Sequence, residues 1–287
     1  MEGSLGYLLL ALTTLLSSIF GLVVKSAHHT GRNPIAVGGL NYVAAALLGG
    51  VFLFLDTEWE WDHLTILLGI ATGVFYVVAF WFVARSVVQG GVAITMAIVR
   101  LSVVAPIACS IFIWNEIPSG LQTAGIVLVC LALPFLSVGT GDGQPAVRLR
   151  NTLWFIGALF VTTGFCSLSP KVFSELSTER QMPLYVFSLF ATSALVSLVF
   201  FRIKRIPILR RDYAHGFVQG ACNILSAVTM VMTLKHLPGT LVFPVTSASG
   251  LILTTAAAIL IWKEQLRGRV YIGIGLTVIA LVLVNGD

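Results

Sequence analysis

The sequence contains few charged residues. Asp, Glu, Lys and Arg together make up 10% of the 287 residues, whereas a soluble globular domain carries roughly 25%. Hydrophobic residues make up 57% of the chain, and the polar segments between the apolar ones are too short for an independent soluble domain. These proportions exclude a soluble protein and predict a membrane domain.

The chain also lacks the motifs of several functional classes. Its four cysteines lie in apolar segments without C-x-x-C spacing, which argues against a zinc site and against a disulfide framework. It has neither a phosphate-binding glycine-lysine loop for ATP hydrolysis nor the Ser/His/Asp or metal-ligand spacing of a membrane enzyme. The net charge of +5 is not gathered into a basic strip with aromatics, so nucleic acid is not an expected partner. We therefore expect no catalytic residue, no metal and no cofactor.

Long apolar segments recur along the whole chain instead. A helix needs about 20 apolar residues to cross a hydrocarbon core of about 30 Å, and every backbone amide in lipid must be bonded internally. The segments are too long for barrel strands, so the sequence predicts an all-α integral membrane protein of ten transmembrane helices. The predicted spans are 5–24, 34–55, 64–84, 90–115, 121–138, 151–171, 182–201, 213–235, 239–262 and 268–285.

The basic residues between the spans give a prediction of orientation. Of the 17 Lys and Arg residues, 13 lie in odd-numbered connections and three in even-numbered ones. The positive-inside rule then places the odd-numbered connections in the cytoplasm and both termini outside. The orientation stays open, because Lys25 and Lys263 have a second interpretation as pore residues.

The two halves of the chain resemble each other. A shift of 148 residues aligns two W-x-E sequences, Trp114-Asn115-Glu116 and Trp262-Lys263-Glu264, and the alignment continues without a gap into the following spans. A G-x-x-x-G sequence opens both the third and the eighth span. These similarities predict two five-helix repeats, residues 1–140 and 150–287. Because five is odd, the second repeat enters the membrane from the opposite side, which is the inverted architecture suited to alternating access.

The five-plus-five spans, the two W-x-E sequences and the G-x-x-x-x-x-x-A that follows each resemble the EamA-type, ten-helix branch of the drug/metabolite transporter superfamily. The resemblance covers nearly the whole chain. It implies a secondary transporter, an exporter or exchanger, in a bacterial cytoplasmic (inner) membrane, but it does not identify the substrate. We expect a small organic metabolite such as an amino acid or other carboxylate as cargo. The expected partners are the lipid bilayer and the small-molecule substrate, for a monomer or a homodimer. The alternatives are a multidrug efflux carrier of the same family, a membrane-embedded enzyme acting on lipid, and a non-transporting scaffold or receptor. The family usually has cytoplasmic termini, which conflicts with the charge count.

Arg100 is the principal candidate for binding the substrate. It lies about ten residues into the fourth span without a carboxylate in reach on its own helix, and a charge at that depth costs about 3 kcal/mol on insertion scales. Arg keeps its proton, and its planar fork matches a carboxylate or a phosphate. We predict that Arg100 lines a cavity and binds an anionic group. The alternative is a structural Arg that bonds helix-end carbonyls or reaches the interface.

Other polar or amphipathic side chains at membrane depth also need a partner, either on a neighbouring helix or on the substrate. Asn223 is favoured because it lies one turn from another amide. For the two lysines the alternative is an anchor that reaches the interface. The further substrate-binding candidates are Lys25, Lys171, Asn41, Tyr42, Tyr76, Trp81, Gln219 and Asn223.

Two carboxylates and two prolines are candidates for gating or coupling. Glu116 and Glu264 lie at the ends of the fourth and ninth spans. They are expected to be gates or proton-coupling groups, or else acceptors for the amides that open the next helix. Pro106 and Pro244 lie inside the same spans, where a missing backbone donor bends a helix and can form a hinge.

Overall fold

The computed structural model describes residues 2–90, 92–137, 153–263 and 268–284. Within these residues the regular secondary structure is entirely helical, with a short 3₁₀ helix at Glu179–Gln181. The helices are α1 (Glu2–His29), α2 (Pro34–Leu55), α3 (His63–Gly90), α4 (Val92–Leu101), α5 (Val104–Phe112), α6 (Gly120–Ser137), α7 (Leu153–Leu176), α8 (Met182–Lys204), α9 (Asp212–His236), α10 (Gly239–Trp262) and α11 (Gly268–Val284).

The apolar helices correspond to the predicted spans. In the described part of the chain, seven helices are long and apolar enough to cross a membrane, and three shorter apolar segments cover Ile98–Phe112, Gly120–Ala132 and Val270–Val284. Each of these ten segments falls within or overlaps one of the ten predicted spans. The all-α, multi-pass membrane fold is therefore confirmed.

The fourth span differs from its prediction. It was expected as one helix over 90–115, but it consists of α4 and α5, which are separated at Ser102–Val103. Pro106 supplies the reason, because its ring collides with the carbonyl of the residue four positions earlier, Ser102, and it cannot donate to that carbonyl. The Ala105 N–H donates to the Ser102 carbonyl at 3.0 Å instead. By contrast, α10 continues through Pro244 without interruption, so only one of the two predicted hinges coincides with a break.

Three helices, α1, α3 and α7, extend five or six residues beyond the ends predicted from apolar runs. α1 reaches His29, and the chain then turns at Gly31, whose φ of 65° favours glycine. α7 reaches Leu176, so Lys171 lies inside the helix and does not close it. Lys171 pairs with Glu175 at a spacing of four residues, which stabilises a further helical turn that a search for apolar residues cannot detect.

The helices form two compact units. Unit 1 comprises Met1–Val77 and Ser169–Lys235, and unit 2 comprises Val78–Leu168 and His236–Asp287. In unit 1, α2 packs against α8 around a buried aromatic core. Phe173 and Tyr185 stack in this core with their ring centroids 4.4 Å apart. Each unit contains helices from both predicted repeats.

The G-x-x-x-G sequences make equivalent contacts within unit 1. A methyl group at Gly73 of α3 would collide with α8, and one at Gly220 of α9 would collide with α2. Both glycines therefore allow two helix backbones to approach closely. The atoms contacted are Leu189 O, Thr192 Cβ and Ser193 N for Gly73, and Asn41 O, Ala44 Cβ and Ala45 N for Gly220. The residues contacted by Gly73 lie 148 positions after those contacted by Gly220, and this is the same shift that aligns the W-x-E sequences.

In unit 2, α6 packs against α11, and α10 packs against α5, α6 and α11. Gly125 of α6 lies against the Ala280 carbonyl and Val284 of α11, so a side chain at position 125 would separate these helices. The central residues of the two W-x-E sequences, Asn115 and Lys263, have φ of 54° and 53°. Residues other than glycine rarely adopt this left-handed conformation. The motif therefore directs the chain out of a helix in both halves.

Candidate functional site

Arg100 lies in the last turn of α4, two residues before the break. Its side chain is half-buried. In the part of the chain that the structure describes, its guanidinium forms no hydrogen bond and no ion pair, while its backbone carbonyl accepts from the Val103 N–H at 3.3 Å. No described helix-end carbonyl accepts a hydrogen bond from the guanidinium, so the structure does not support the alternative of a structural Arg. A fork of five donors remains available for a carboxylate or phosphate.

Asn41 and Asn223 form a hydrogen bond between α2 and α9. Asn41 is buried, its Nδ2 donates to the Gly38 carbonyl at 3.3 Å, and its Oδ1 accepts from Asn223 Nδ2 at 3.1 Å. The sequence predicted that each amide needs a partner, and for these two the partner is on a neighbouring helix. Both amide groups of Asn41 are satisfied by the protein.

Gln219 differs from this pair although it lies one turn away on α9. It is 4% exposed, and its Oε1 has no hydrogen-bond partner among the described residues. A buried acceptor without a partner is uncommon in folded proteins and costs about 1–3 kcal/mol. Gln219 is therefore the member of the amide group that can accept a hydrogen bond from a bound molecule without first breaking one.

Tyr42 and Tyr76 lie together in the core of unit 1. The Tyr42 hydroxyl donates to the Tyr76 carbonyl at 3.3 Å, and the two rings meet edge to face with centroids 6.4 Å apart. Tyr76 also meets Phe190 edge to face at 6.4 Å. These contacts favour packing between helices as the role of Tyr42, because its hydroxyl already has a backbone acceptor.

The two candidate lysines differ in their surroundings. Lys171 is 1% exposed and forms an ion pair with Glu175 on the same helix. It is thus not an anchor that reaches out to an interface, and a substrate anion would have to compete with the Glu175 carboxylate. Lys25 is half-buried, one turn before the end of α1. This ion pair could have been predicted from the sequence, because Lys171 and Glu175 are four residues apart on one helix.

Trp81 belongs to an aromatic cluster in unit 2. It is 40% exposed, and the Arg85 guanidinium lies 5.4 Å from its ring centroid. Phe82 and Phe155 pack against the same ring. A cation over an indole face is a stable surface arrangement. The contacts of Trp81 are therefore those of a packed side chain.

Glu116 accepts a hydrogen bond at the start of a helix, although not of the next helix, which its second interpretation had named. Its Oε2 accepts from the Thr240 N–H at 3.1 Å. The helix is α10 and not the next helix, α6. The N-cap residue of α10 is Pro238, which offers no side-chain cap, so Glu116 supplies an acceptor that α10 lacks locally. Gly239 makes this approach possible, since a methyl group there would collide with Ser110 Oγ and lie 3.3 Å from Glu116 Oε2. Glu264 lies outside the described residues.

The class of the protein follows from comparison with known proteins. The model of the EamA-like transporter family matches residues 4–138. This segment belongs to the EamA-like family. The resemblance that the W-x-E sequences indicated is thereby confirmed for this segment, which is that of a multi-pass membrane transporter of the drug/metabolite type.

Two further matches extend over more of the chain. An uncharacterized protein of Haemophilus influenzae is 25% identical over 207 residues, which cover 71% of this chain and 70% of that protein. A solved crystal structure is 15% identical, has a TM-score of 0.79, and covers 98% of this chain and 96% of that one. At this level of identity the solved structure shows a shared fold alone.

The sequence did not predict a row of three hydrogen-bonded hydroxyl groups. Thr72 Oγ1 lies 2.5 Å from Ser169 Oγ, which lies 2.6 Å from the Tyr185 hydroxyl. Because the Thr72 proton is used on the Leu68 carbonyl at 2.7 Å, Ser169 donates to Thr72 and Tyr185 donates to Ser169. The row links α3, α7 and α8. Single Ser and Thr residues are frequent in membrane helices, so no sequence signal distinguishes these.

No group of three or more His, Cys, Asp or Glu side chains in the described ranges could hold a metal ion.

Asp62 lies outside the membrane spans, just before α3, and its side chain accepts a hydrogen bond from the Thr65 N–H at 2.7 Å. Hydrogen bonds from the Thr65 side chain and backbone lower the pKa of Asp62 below its ordinary value. Asp62 therefore acts as a helix cap.

Proposed function

We propose that this transporter carries a small organic anion, such as an amino acid or another carboxylate, by alternating access as an exporter or exchanger. The observation that carries the proposal is the half-buried Arg100 guanidinium, which has no described protein partner. An unpaired charge at membrane depth is costly and is usually retained for function. The same positive charge opposes a cationic drug as cargo, which is the alternative of a multidrug efflux carrier.

The position of Arg100 beside a helix break supports a role in the transport cycle. Interrupted membrane helices expose backbone groups that can bind substrates, and hinges are formed by a few residues at element ends. The Ser102–Val103 break is two residues from Arg100. We infer that movement at the break and binding at Arg100 are coupled, with Pro106 keeping the helix interrupted.

The equivalent glycine contacts support the two-repeat organisation on which alternating access depends. Gly73 and Gly220 approach positions that differ by 148 residues, which is the relation that two repeats with a common ancestor would have. We propose that residues 1–140 and 150–287 are these repeats, in inverted orientation. The transporter is proposed to work in a bacterial inner membrane as a monomer or homodimer, without enzymatic activity.

Transport by purified protein in vesicles tests the assignment of Arg100. A thermal-shift screen over amino acids, nucleosides, sugar phosphates and cationic drugs first identifies a cargo. Arg100→Gln should then weaken binding of an anionic cargo by roughly 10–150-fold, because a hydrogen bond to a charged group contributes about 1.5–3 kcal/mol. Arg100→Lys should retain part of the affinity, since it keeps the charge but loses the fork.

Arg85→Gln is the matched control, because Arg85 is also an arginine of unit 2 but lies over Trp81. This variant should transport as the unchanged protein does. Normal anion transport by Arg100→Gln, or a cationic drug as the preferred cargo, would contradict the proposal. Turnover of a lipid by the purified protein would instead support the alternative of a lipid-acting enzyme.

A further inference from the structure

One end of unit 1 carries a concentration of positive charge. Gly39 near the start of α2 lies against Phe201 near the end of α8, and Gly216 near the start of α9 lies against Leu40. The α1–α2 and α8–α9 connections therefore meet at the same end of the unit. We name this the basic end and define it by Arg32, Arg202, Lys204, Arg205, Arg210 and Arg211. The opposite end carries the acidic connection with Asp56, Glu58, Glu60 and Asp62.

The cations of the α8–α9 connection are exposed and lack a side-chain partner among the described residues. None of the five between positions 202 and 211 makes an ion pair or a side-chain hydrogen bond within the described ranges. The nearby carboxylate of Asp212 is fully buried, and its Oδ2 accepts from the Leu209 N–H at 2.8 Å. That bond fixes the connection to the start of α9 while leaving the basic side chains exposed.

At the acidic end of unit 1, by contrast, a cation does form ion pairs. Arg180 lies 3.3 Å from a Glu60 carboxylate oxygen and 3.9 Å from one of Glu58. Cations and carboxylates are thus mixed at the acidic end, whereas the basic end holds positive charge alone on its exposed surface. Such a surface attracts a partner that carries many negative charges close together.

Large apolar side chains are interspersed with these cations. Ile203 is 71% exposed, Leu209 is 59% exposed and Tyr213 is 55% exposed. Apolar groups beside Lys and Arg at the end of a membrane helix match the boundary between acyl chains and headgroups, where the apolar part is buried in lipid and the cation meets phosphate. A soluble anion would satisfy the charges but leave these apolar groups in water.

We propose that the basic end of unit 1 binds the headgroups of anionic phospholipids. Clusters of four to eight basic residues next to membrane helices bind such lipids, with about a fivefold gain in binding for each side chain near the surface. Four of the five cations between positions 202 and 211 are Arg, whose fork binds phosphate in a bidentate manner. The backbone of Arg205 has the left-handed conformation, with φ of 50°, where α8 ends. The hydrogen bond from the Leu209 N–H to Asp212 restrains the other end of the connection. The site is independent of the transported cargo.

Binding of tail-labelled phospholipid to the delipidated, full-length protein in neutral detergent tests this proposal. Phosphatidylglycerol should bind at least about tenfold more tightly than phosphatidylcholine, and rising ionic strength should reduce the difference, since exposed charges are screened by salt. A variant with Gln at positions 202, 204, 205, 210 and 211 should lose the preference. Arg180→Gln, which removes a paired cation at the other end, should keep it.

Further measurements keep the test informative if the five-residue variant unfolds. The smaller variants Arg202→Gln/Lys204→Gln/Arg205→Gln and Arg210→Gln/Arg211→Gln should each lose part of the preference while melting as the unchanged protein does in phosphatidylcholine. Equal binding of both lipids, or full retention of the preference by these variants, would overturn the proposal. Displacement of the labelled lipid by inorganic phosphate at equal concentration would also overturn it, because the site would then bind soluble anions.

Discussion

Two amide side chains one turn apart on α9 should respond to substitution with opposite signs. Gln219 is buried and its Oε1 lacks a described partner, whereas Asn223 donates to Asn41 Oδ1 at 3.1 Å. Replacing Gln219 by Met keeps the length and approximate volume of the side chain and removes an unsatisfied acceptor. Replacing Asn223 by Leu removes a donor and leaves Asn41 Oδ1 buried without its partner.

The expected magnitudes follow from the cost of an unsatisfied buried group. Gln219→Met should recover about 1–3 kcal/mol of that cost, reduced by up to about 1.5 kcal/mol for imperfect packing of the new side chain. Asn223→Leu should lose about 0.6–2 kcal/mol, the range found for hydrogen bonds between membrane helices. At about 2–4 °C per kcal/mol for a chain of this size, the melting temperatures of the two variants should move apart by several degrees.

Thermal unfolding of both variants in the same detergent, with and without cargo, tests this reasoning. If Gln219 binds the cargo, Gln219→Met should be more stable alone and should gain less stability from cargo than the unchanged protein. Destabilisation of Gln219→Met by more than about 0.5 kcal/mol, the most that the packing cost allows, would refute the argument, because it would mean that Oε1 is satisfied by a group such as a bound water. A stabilising Asn223→Leu would refute the role given to the Asn41–Asn223 bond.

Two further predictions concern helix contacts. Gly73→Ala and Gly220→Ala should each destabilise the protein by about 1–3 kcal/mol, because the added methyl group meets backbone atoms of α8 or α2. The control variant Gly157→Ala has open space around the added methyl group and should be neutral or stabilising. Equal melting temperatures for all three variants would contradict the close approach of the helices. Glu116→Ala should destabilise by about 1–2 kcal/mol by removing the acceptor for the Thr240 N–H, and Glu116→Gln should lose less because it keeps an acceptor. An unchanged melting temperature for Glu116→Ala would remove the helix-capping role.

The fold was largely predictable from the sequence because the lipid environment imposes a simple rule. Every spanning segment must be apolar and about 20 residues long. Seven of the described helices follow this pattern, and three shorter apolar segments lie within or overlap the other predicted spans. The exceptions arise where local bonding outweighs hydropathy. Pro106 interrupts an apolar run that a hydropathy search reads as continuous, and the Lys171–Glu175 pair extends α7 past the first charge.

The candidate site was less predictable, because a polar residue in an apolar segment indicates that it needs a hydrogen-bond partner but does not identify that partner. The sequence selected Asn41, Asn223 and Gln219 on the same grounds, yet two of them bind each other and one has an unpartnered acceptor. That distinction depends on the register between α2 and α9, which is set by the contact of Gly220 with the backbone of α2. A one-turn change in this register would alter which of the α9 amides faces Asn41.

The two W-x-E sequences illustrate how one motif can retain its backbone role while its neighbours diverge. Asn115 and Lys263 both adopt the left-handed conformation, although one is an amide and the other a cation. The helix before Asn115 is interrupted at Ser102–Val103, whereas α10 before Lys263 is continuous. Arg100 precedes that break, and the residue 148 positions later is Ala248, which is fully buried. Under the proposed two-repeat organisation the halves share a common framework. The interruption beside Arg100, whose guanidinium has no partner among the described residues, is a difference between them that would give the transporter a preference for charge.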